Sequence, residues 1–159
     1  MEDLSNYEKL KEDAQKYYNS IGSILCPIFG EHISFSSEGF NHIVFKSART
    51  ERERPSQIMR FKLLAKAKKL IEISTTYQEF EETIQEFSVK SHKKRIQKSK
   101  SVKYWGIIAI IDGYKIKVII RRIGEDGKLH FWSVVPAWVT NKYRDTKFVT
   151  TMRGDPKED

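Results

Sequence analysis

The stretch 104–135 constrains this chain most. It holds three apolar, β-branched runs, at 104–111, 114–123 and 128–135, joined by Asp112-Gly113 and by Gly124-Glu125-Asp126-Gly127. Asp-Gly suits a two-residue hairpin, whose central residues both need a positive φ. In the middle run Ile116, Val118 and Ile120 alternate with Lys115, Lys117, Ile119 and Arg121, the period of a strand with one face on a core. The spacing predicts an antiparallel three-stranded meander stopped by Pro136, with a fourth strand near 147–151.

Upstream the period is helical. Over 2–19, Leu4, Tyr7, Leu10, Ala14, Tyr17 and Tyr18 recur at steps of three and four. Gly22, Pro27 and Gly30 mark a loop over 20–30, 33–35 suits a short strand, and 36–39 is a turn by composition. Residues 40–45 fit either period and read best as a short helix or turn that carries His42 out of the core. Pro55 sits where a helix starts, and Met59, Leu63, Ala67 and Leu70 carry that helix to about residue 72. Capping-box spacings at Thr75/Gln78 and Thr76/Glu79, followed by Phe80, Ile84 and Phe87, predict one more helix ending near 89. Helices first and sheet second make the class α+β: N-terminal helices packed on an antiparallel sheet of three to five strands. The expected organisation is a single domain over 1–151, with a helical part at 1–89, a basic connector at 90–103 and the sheet at 104–151, and then a flexible tail at 152–159.

Composition narrows the function classes. Hydrophobic residues at 39% and aromatics at 12% are enough for a packed core. Twenty-nine Lys and Arg against 21 Asp and Glu leave a net charge of +8, which favours a polyanionic partner, nucleic acid first. No apolar run is long enough to span a bilayer and the first residues are acidic and polar, so a cytoplasmic protein without membrane contact is expected. Cys26 is the single cysteine and has no internal disulfide partner. P-loop, Rossmann, zinc and paired-acid patterns are all missing, so neither a metal nor a cofactor is expected.

Several residues could carry chemistry. His42 has Lys46 four residues on, the same face if the segment is helical. A neutral imidazole can take a proton from a ribose 2′-hydroxyl, and an ammonium can stabilise the phosphorane; a structural histidine bonded to a main-chain carbonyl is the competing interpretation. Arg121 suits bidentate phosphate contact if it stands on the open face of its strand. Strict alternation puts His130 and Trp132 on one face of the third run and Phe131, Ser133 and Val135 on the other. Ser133 could bond a phosphate oxygen, and Trp132 could stack a base. Lys93, Lys94 and Arg95 belong to a charge run over 90–103 that holds no acidic residue and leads into Tyr104-Trp105. Basic and aromatic groups together suit single-stranded RNA, although such a run is equally a solvated linker or a docking face for an acidic protein. Arg49, in the arginine-rich loop 47–54, and Arg60 complete the candidate backbone contacts.

Asn41-His42-Ile43 with Lys46, the helix entry 57–64 (QIMRFKLL), and the strands 117–121 (KVIIR) and 131–136 (FWSVVP) resemble the barnase–EndoU–colicin–RelE group of RNase folds, in particular its phage- and mobile-element-associated branch. The likeness runs from about residue 40 to 136. It implies RNA, single-stranded or tRNA, lying across the exposed face of the sheet and cut without metal to a 2′,3′-cyclic phosphate. By position His42 corresponds to the helix-borne catalytic histidine, Lys46 to its basic partner, Arg121 to the strand arginine that grips phosphate and Ser133 to the hydroxyl on the next strand. No second acid or base is fixed; His130 and Tyr104 are the candidates. A toxin or mobile-element effector would also meet an inhibitor protein on its basic face. The alternative is a non-catalytic nucleic-acid-binding module or a protein adaptor using that face.

Overall fold

The computed structural model describes residues 6–136, the backbone of 150–151, and residues 154–159. Its elements in order are α1 (Tyr7–Ile21), β1 (Ser23–Cys26), β2 (Glu31–Ser34), α2 (Ser37–Val44), β3 (Phe45–Ser47), β4 (Thr50–Glu51), α3 (Arg54–Ile73), β5 (Glu79–Ser91), β6 (Lys94–Ile111), β7 (Tyr114–Ile123), β8 (His130–Pro136) and β9 (Thr150–Thr151). The protein is α+β, its helices lying with a mostly antiparallel mixed sheet in the order β1-β2-β8-β7-β6-β5-β9, while β3 and β4 pair apart. The meander β6-β7-β8 is the expected one. Asp112 and Gly113 both take positive φ, 50° and 82°, at its first turn, as the two-residue hairpin requires.

Four expectations are corrected. The sheet exceeds three to five strands, because β1 and β2 extend it on one side and β9 on the other. Residues 20–30 are not simply a loop, since β1 and β2 form an antiparallel hairpin around the turn at 27–30. The helix expected to end near 89 is strand β5, and the basic connector at 90–103 is the end of that strand, the turn at 92–93 and the first part of its hairpin partner β6, with Ser91 paired to Lys94 and Glu79 to Gly106. Phe80, Ile84 and Phe87 mimic a helical stripe because they come from two faces of a ribbon. Phe80 packs on Trp105 on one face, Phe87 joins Tyr104 and Ile119 on the other, and Ile84 is exposed. Last, the tail does not fray along its whole length: residues 154–159 fold back onto the sheet through hydrogen bonds from Trp132, Ser133 and Arg60. Of the expected fourth strand, Thr150–Thr151 pair in parallel with β5, and 147–149 lie outside the described residues.

The sheet has two working faces. Ile107, Ile116, Val118, Ile120, Phe131 and Val134 pack with Tyr18, Ile43, Leu64 and Ile71 of the helical layer in the main core. Tyr18, Phe35, Phe40 and Phe131 form an aromatic knot with centroids 4.9 to 5.9 Å apart. Val102, Tyr104 and Ile119, joined by Phe87, Ile123 and Trp132, make a smaller cluster on the opposite face. Beside this second cluster lies the polar site.

Two backbone details position that site. Strand β8 meets β2 at a single bridge, Ser34 with His130, and α2 lies against it. A Cβ on Gly39 would come to 2.5 Å from the main-chain oxygen of Phe131, so only glycine permits this approach. The second detail is a bulge. Ile119 pairs with Ser133 and Ile120 with Phe131, leaving Trp132 as the extra residue. The expected alternation breaks there, and both Trp132 and Ser133 stand on the face of Ile119 and Arg121.

Candidate functional site

The site is a cleft of about 840 Å³, lined among others by His42, Lys46, Arg49, Phe87, Arg121 and Trp132. Helix α2 supplies His42, the turn between β3 and β4 supplies Arg49, and β7 and β8 supply Arg121 and Trp132, with Ser133 of β8 buried behind them. The fold thus brings together residues that lie about ninety positions apart in sequence. Arg60 enters from α3, its Nη1 donating to Ser133 Oγ at 2.7 Å and to Val134 O at 3.3 Å.

His42 is buried, with its ring stacked on Trp132 at a centroid distance of 4.0 Å. Arg52, a residue the sequence had not singled out, donates from Nη2 to His42 Nε2 at 3.1 Å and from Nε to His42 O at 2.9 Å. A guanidinium can only donate, so Nε2 carries the lone pair and any ring proton is on Nδ1. Burial first, then the charges of Arg52, Arg60 and Arg121, pulls the pKa of His42 down to about 2, although a main-chain hydrogen bond to Asp159 opposes the shift. The imidazole is therefore neutral at ordinary pH. Gln57 steadies Arg52 in turn, its Nε2 donating to Arg52 O at 2.7 Å while Tyr7 donates to its Oε1.

Arg121 is buried and held on three sides. Its Nε donates to His130 Nε2 at 2.8 Å, its Nη2 to Glu38 Oε2 at 2.7 Å, and its guanidinium lies 3.5 Å from the Trp132 ring centroid. His130 Nδ1 lies 3.1 Å from Lys128 O; with Nε2 accepting from Arg121, Nδ1 carries the proton and donates. Burial and the charge of Arg121 lower its pKa. His130 is a positioning residue for Arg121, with both ring nitrogens engaged.

Other expected contacts change character. Tyr104 is fully buried, so it stacks no base; its hydroxyl accepts from Gln85 Nε2 at 2.9 Å. Ser133 is also fully buried, between Arg60 and the main-chain oxygen of Asp159. Arg60 is likewise an interior cation, and burial then Arg52 lowers its pKa to about 9. Trp132 is partly covered, supporting His42 and Arg121 rather than standing open. Lys46 is half exposed and pairs with Glu158 at 3.3 Å. Arg49 is exposed at the cleft.

Lys93, Lys94 and Arg95 lie away from the cleft, at the tip of the β5–β6 hairpin, which extends past the end of β7. Strand β7 pairs with β6 only as far as Val102, whereas β5 follows β6 to Lys94. By alternation Lys94, Lys98 and Lys100 share the face of Tyr104 and Phe87, and the Lys100 Nζ lies 6.0 Å from the Phe87 ring. Phe87 also lines the cleft, so this lysine row leads out of the site. Arg95 falls on the other face, which also carries Glu82 and Glu86.

Sequence reasoning missed Arg52, Glu38, Gln85 and the 154–159 turn. Arg52 had a signal, since it lies in the arginine-rich loop. The others had none, because only the folded chain brings them to Arg121, Tyr104 and Ser133. Among the described residues no helix is long and apolar enough to cross a membrane. No protein-family model, curated protein or solved structure matches the chain.

Proposed function

We propose that the protein is a metal-independent endoribonuclease of the barnase–EndoU–colicin–RelE type, cutting single-stranded RNA by attack of the ribose 2′-hydroxyl to leave a 2′,3′-cyclic phosphate. One observation carries this reading: Arg52, Arg60 and Arg121 gather around His42, which together with Arg121 lines a cleft that leads onto a lysine-lined ribbon, while Ser133 is buried behind it on Arg60. Guanidiniums held in advance by His130, Glu38 and Ser133 stabilise a phosphorane without reorganising. His42 is in the unprotonated form that a general base requires. A bound phosphate would compensate the three cationic charges that suppress its basicity and draw Arg52 off Nε2, so substrate binding itself would prepare the base. Lys46 and Arg49 at the mouth, and Lys94, Lys98 and Lys100 along the ribbon, hold the strand. In a toxin or mobile-element setting, an acidic inhibitor protein would cover the same face.

A second reading is favoured by the state of His42. With its lone pair on Arg52 and its pKa near 2, it would serve as a neutral acceptor in a binding module that holds RNA without cutting it. Incubation of the protein with mixed RNA in EDTA, with mapping of new ends, separates the two. Cyclic-phosphate ends that fall by roughly a hundredfold or more in His42→Ala, with RNA affinity kept within a few-fold, support the nuclease. Intact RNA with affinity retained supports the module.

A further inference from the structure

The turn formed by residues 154–159 sits where a ligand of the arginine cluster would sit. Gly154 opens it at a φ of +81°, and Asp155 closes it. The Asp155 main-chain oxygen accepts from the N–H groups of Glu158 at 3.0 Å and Asp159 at 2.7 Å, and its carboxylate from Lys157 N–H at 3.1 Å. The turn is then anchored by the site. Trp132 Nε1 donates to Pro156 O at 2.9 Å, and Arg52 Nη2 to Glu158 O at 2.7 Å. A single oxygen, the main-chain oxygen of Asp159, faces Arg60 Nη1 at 2.6 Å, Ser133 Oγ at 2.7 Å and Arg52 Nη2 at 3.2 Å.

That arrangement is over-supplied with donors. Arg60, Ser133 and Arg52 all converge on that one oxygen, and the Asp159 main chain also accepts from His42. The buried Nε of Arg60 has no hydrogen-bond partner among the described residues. A phosphate presents several anionic oxygens in a tetrahedron and matches two guanidinium forks and a hydroxyl better than one main-chain oxygen does. We propose that Arg52, Arg60 and Ser133 form the phosphate seat of the cleft, and that the 154–159 turn occupies it as an intramolecular stopper which an RNA strand must displace. The inference rests on reading the cleft as an RNA site. It adds a regulatory element: the competent state is the one with the turn out, and affinity falls by the fraction of molecules in that state.

The test uses the full chain, with Gly154→Val and Asp155→Ala combined to undo the turn without touching the seat. A β-branched residue strains the left-handed backbone at 154, and Asp155→Ala removes the side-chain acceptor that closes the turn. Hydrogen exchange at 154–159 and affinity for a labelled single-stranded RNA dodecamer are measured at fixed salt. In the wild-type protein, saturating RNA should speed exchange at 154–159. In the double variant, exchange should be fast without RNA and binding roughly five- to tenfold tighter. Continued protection of the turn in RNA-bound wild-type protein would overturn the stopper, and so would unchanged affinity in a variant whose turn exchanges freely. In both cases RNA binding by the cleft would stand. No RNA binding by either form would instead sink the RNA reading, and the stopper with it.

Discussion

A neutral imidazole stacked on an indole and held by a guanidinium makes His42 the residue on which pH acts most directly. Its pKa is about 6.5 unfolded and about 2 folded, so below pH 6.5 the unfolded chain binds a proton that the folded chain refuses. Stability is therefore full above pH 6.5 and is lost as pH falls through the window down to about 2. At about 1.4 kcal/mol per pH unit, His42 alone should cost on the order of 2 kcal/mol between pH 7 and pH 5. His130, also lowered, acts in the same direction. Urea unfolding at the two pH values checks this: His42→Gln should flatten the difference, and an equal loss in both proteins would assign the dependence elsewhere. The same residue shows why the site is hard to read from sequence. Asn41-His42-Ile43 looks identical whether the ring sits in solvent at its ordinary pKa or beside three arginines, and Arg52, Arg60 and Arg121 reach it from a loop, a helix and a strand.

The β5–β6 ribbon is the element that sequence and structure treat most differently. Its turn residues, His92 and Lys93, both take positive φ, 48° and 67°. That is the geometry of a two-residue hairpin, but without the Asn or Gly that announces it at Asp112-Gly113. A left-handed backbone at two such residues is disfavoured and is held by the long strand pairing on either side. Past Val102 the ribbon runs over 94–101 without β7 beside it, about 26 Å at roughly 3.3 Å per residue. Alternation sorts its charge, placing Lys94, Lys98 and Lys100 on the face of the cleft and Arg95 with Glu82 and Glu86 on the other. Replacing the first three by Gln should lower the slope of log affinity against log salt for single-stranded RNA by about 2. Neutralising Lys90 and Arg95, a pair on the opposite face, should change it much less. Salt titrations of the two variants decide the matter, and equal slopes would remove the ribbon face from the binding path.

For the molecule as a whole, the site depends on how closely α2 approaches β8. Gly39 is the contact point, with Phe131 O and the Tyr18 hydroxyl where a side chain would begin. Gly39→Ala should cost about 1–3 kcal/mol, as overpacking does, and should move His42 off Trp132 because both ride on those elements. Loss of stability by thermal unfolding together with weaker RNA binding is expected. An unfolding midpoint equal to wild type would show that α2 can shift without strain.

The sequence by itself determined the α+β class, helices α1 and α3, and the β6-β7-β8 meander with its Asp112-Gly113 turn, because hydrophobic period and turn chemistry are local properties of the chain. The tertiary structure alone decided the rest. Residues 79–103 became a hairpin because strand pairing overrode a helix-like spacing and a turn without Asn or Gly. A bulge at Trp132, set by register against β7, put Trp132 and Ser133 on one face where alternation separates them. The arginine cluster and the 154–159 turn came together only through packing of segments about a hundred residues apart, which no local pattern encodes.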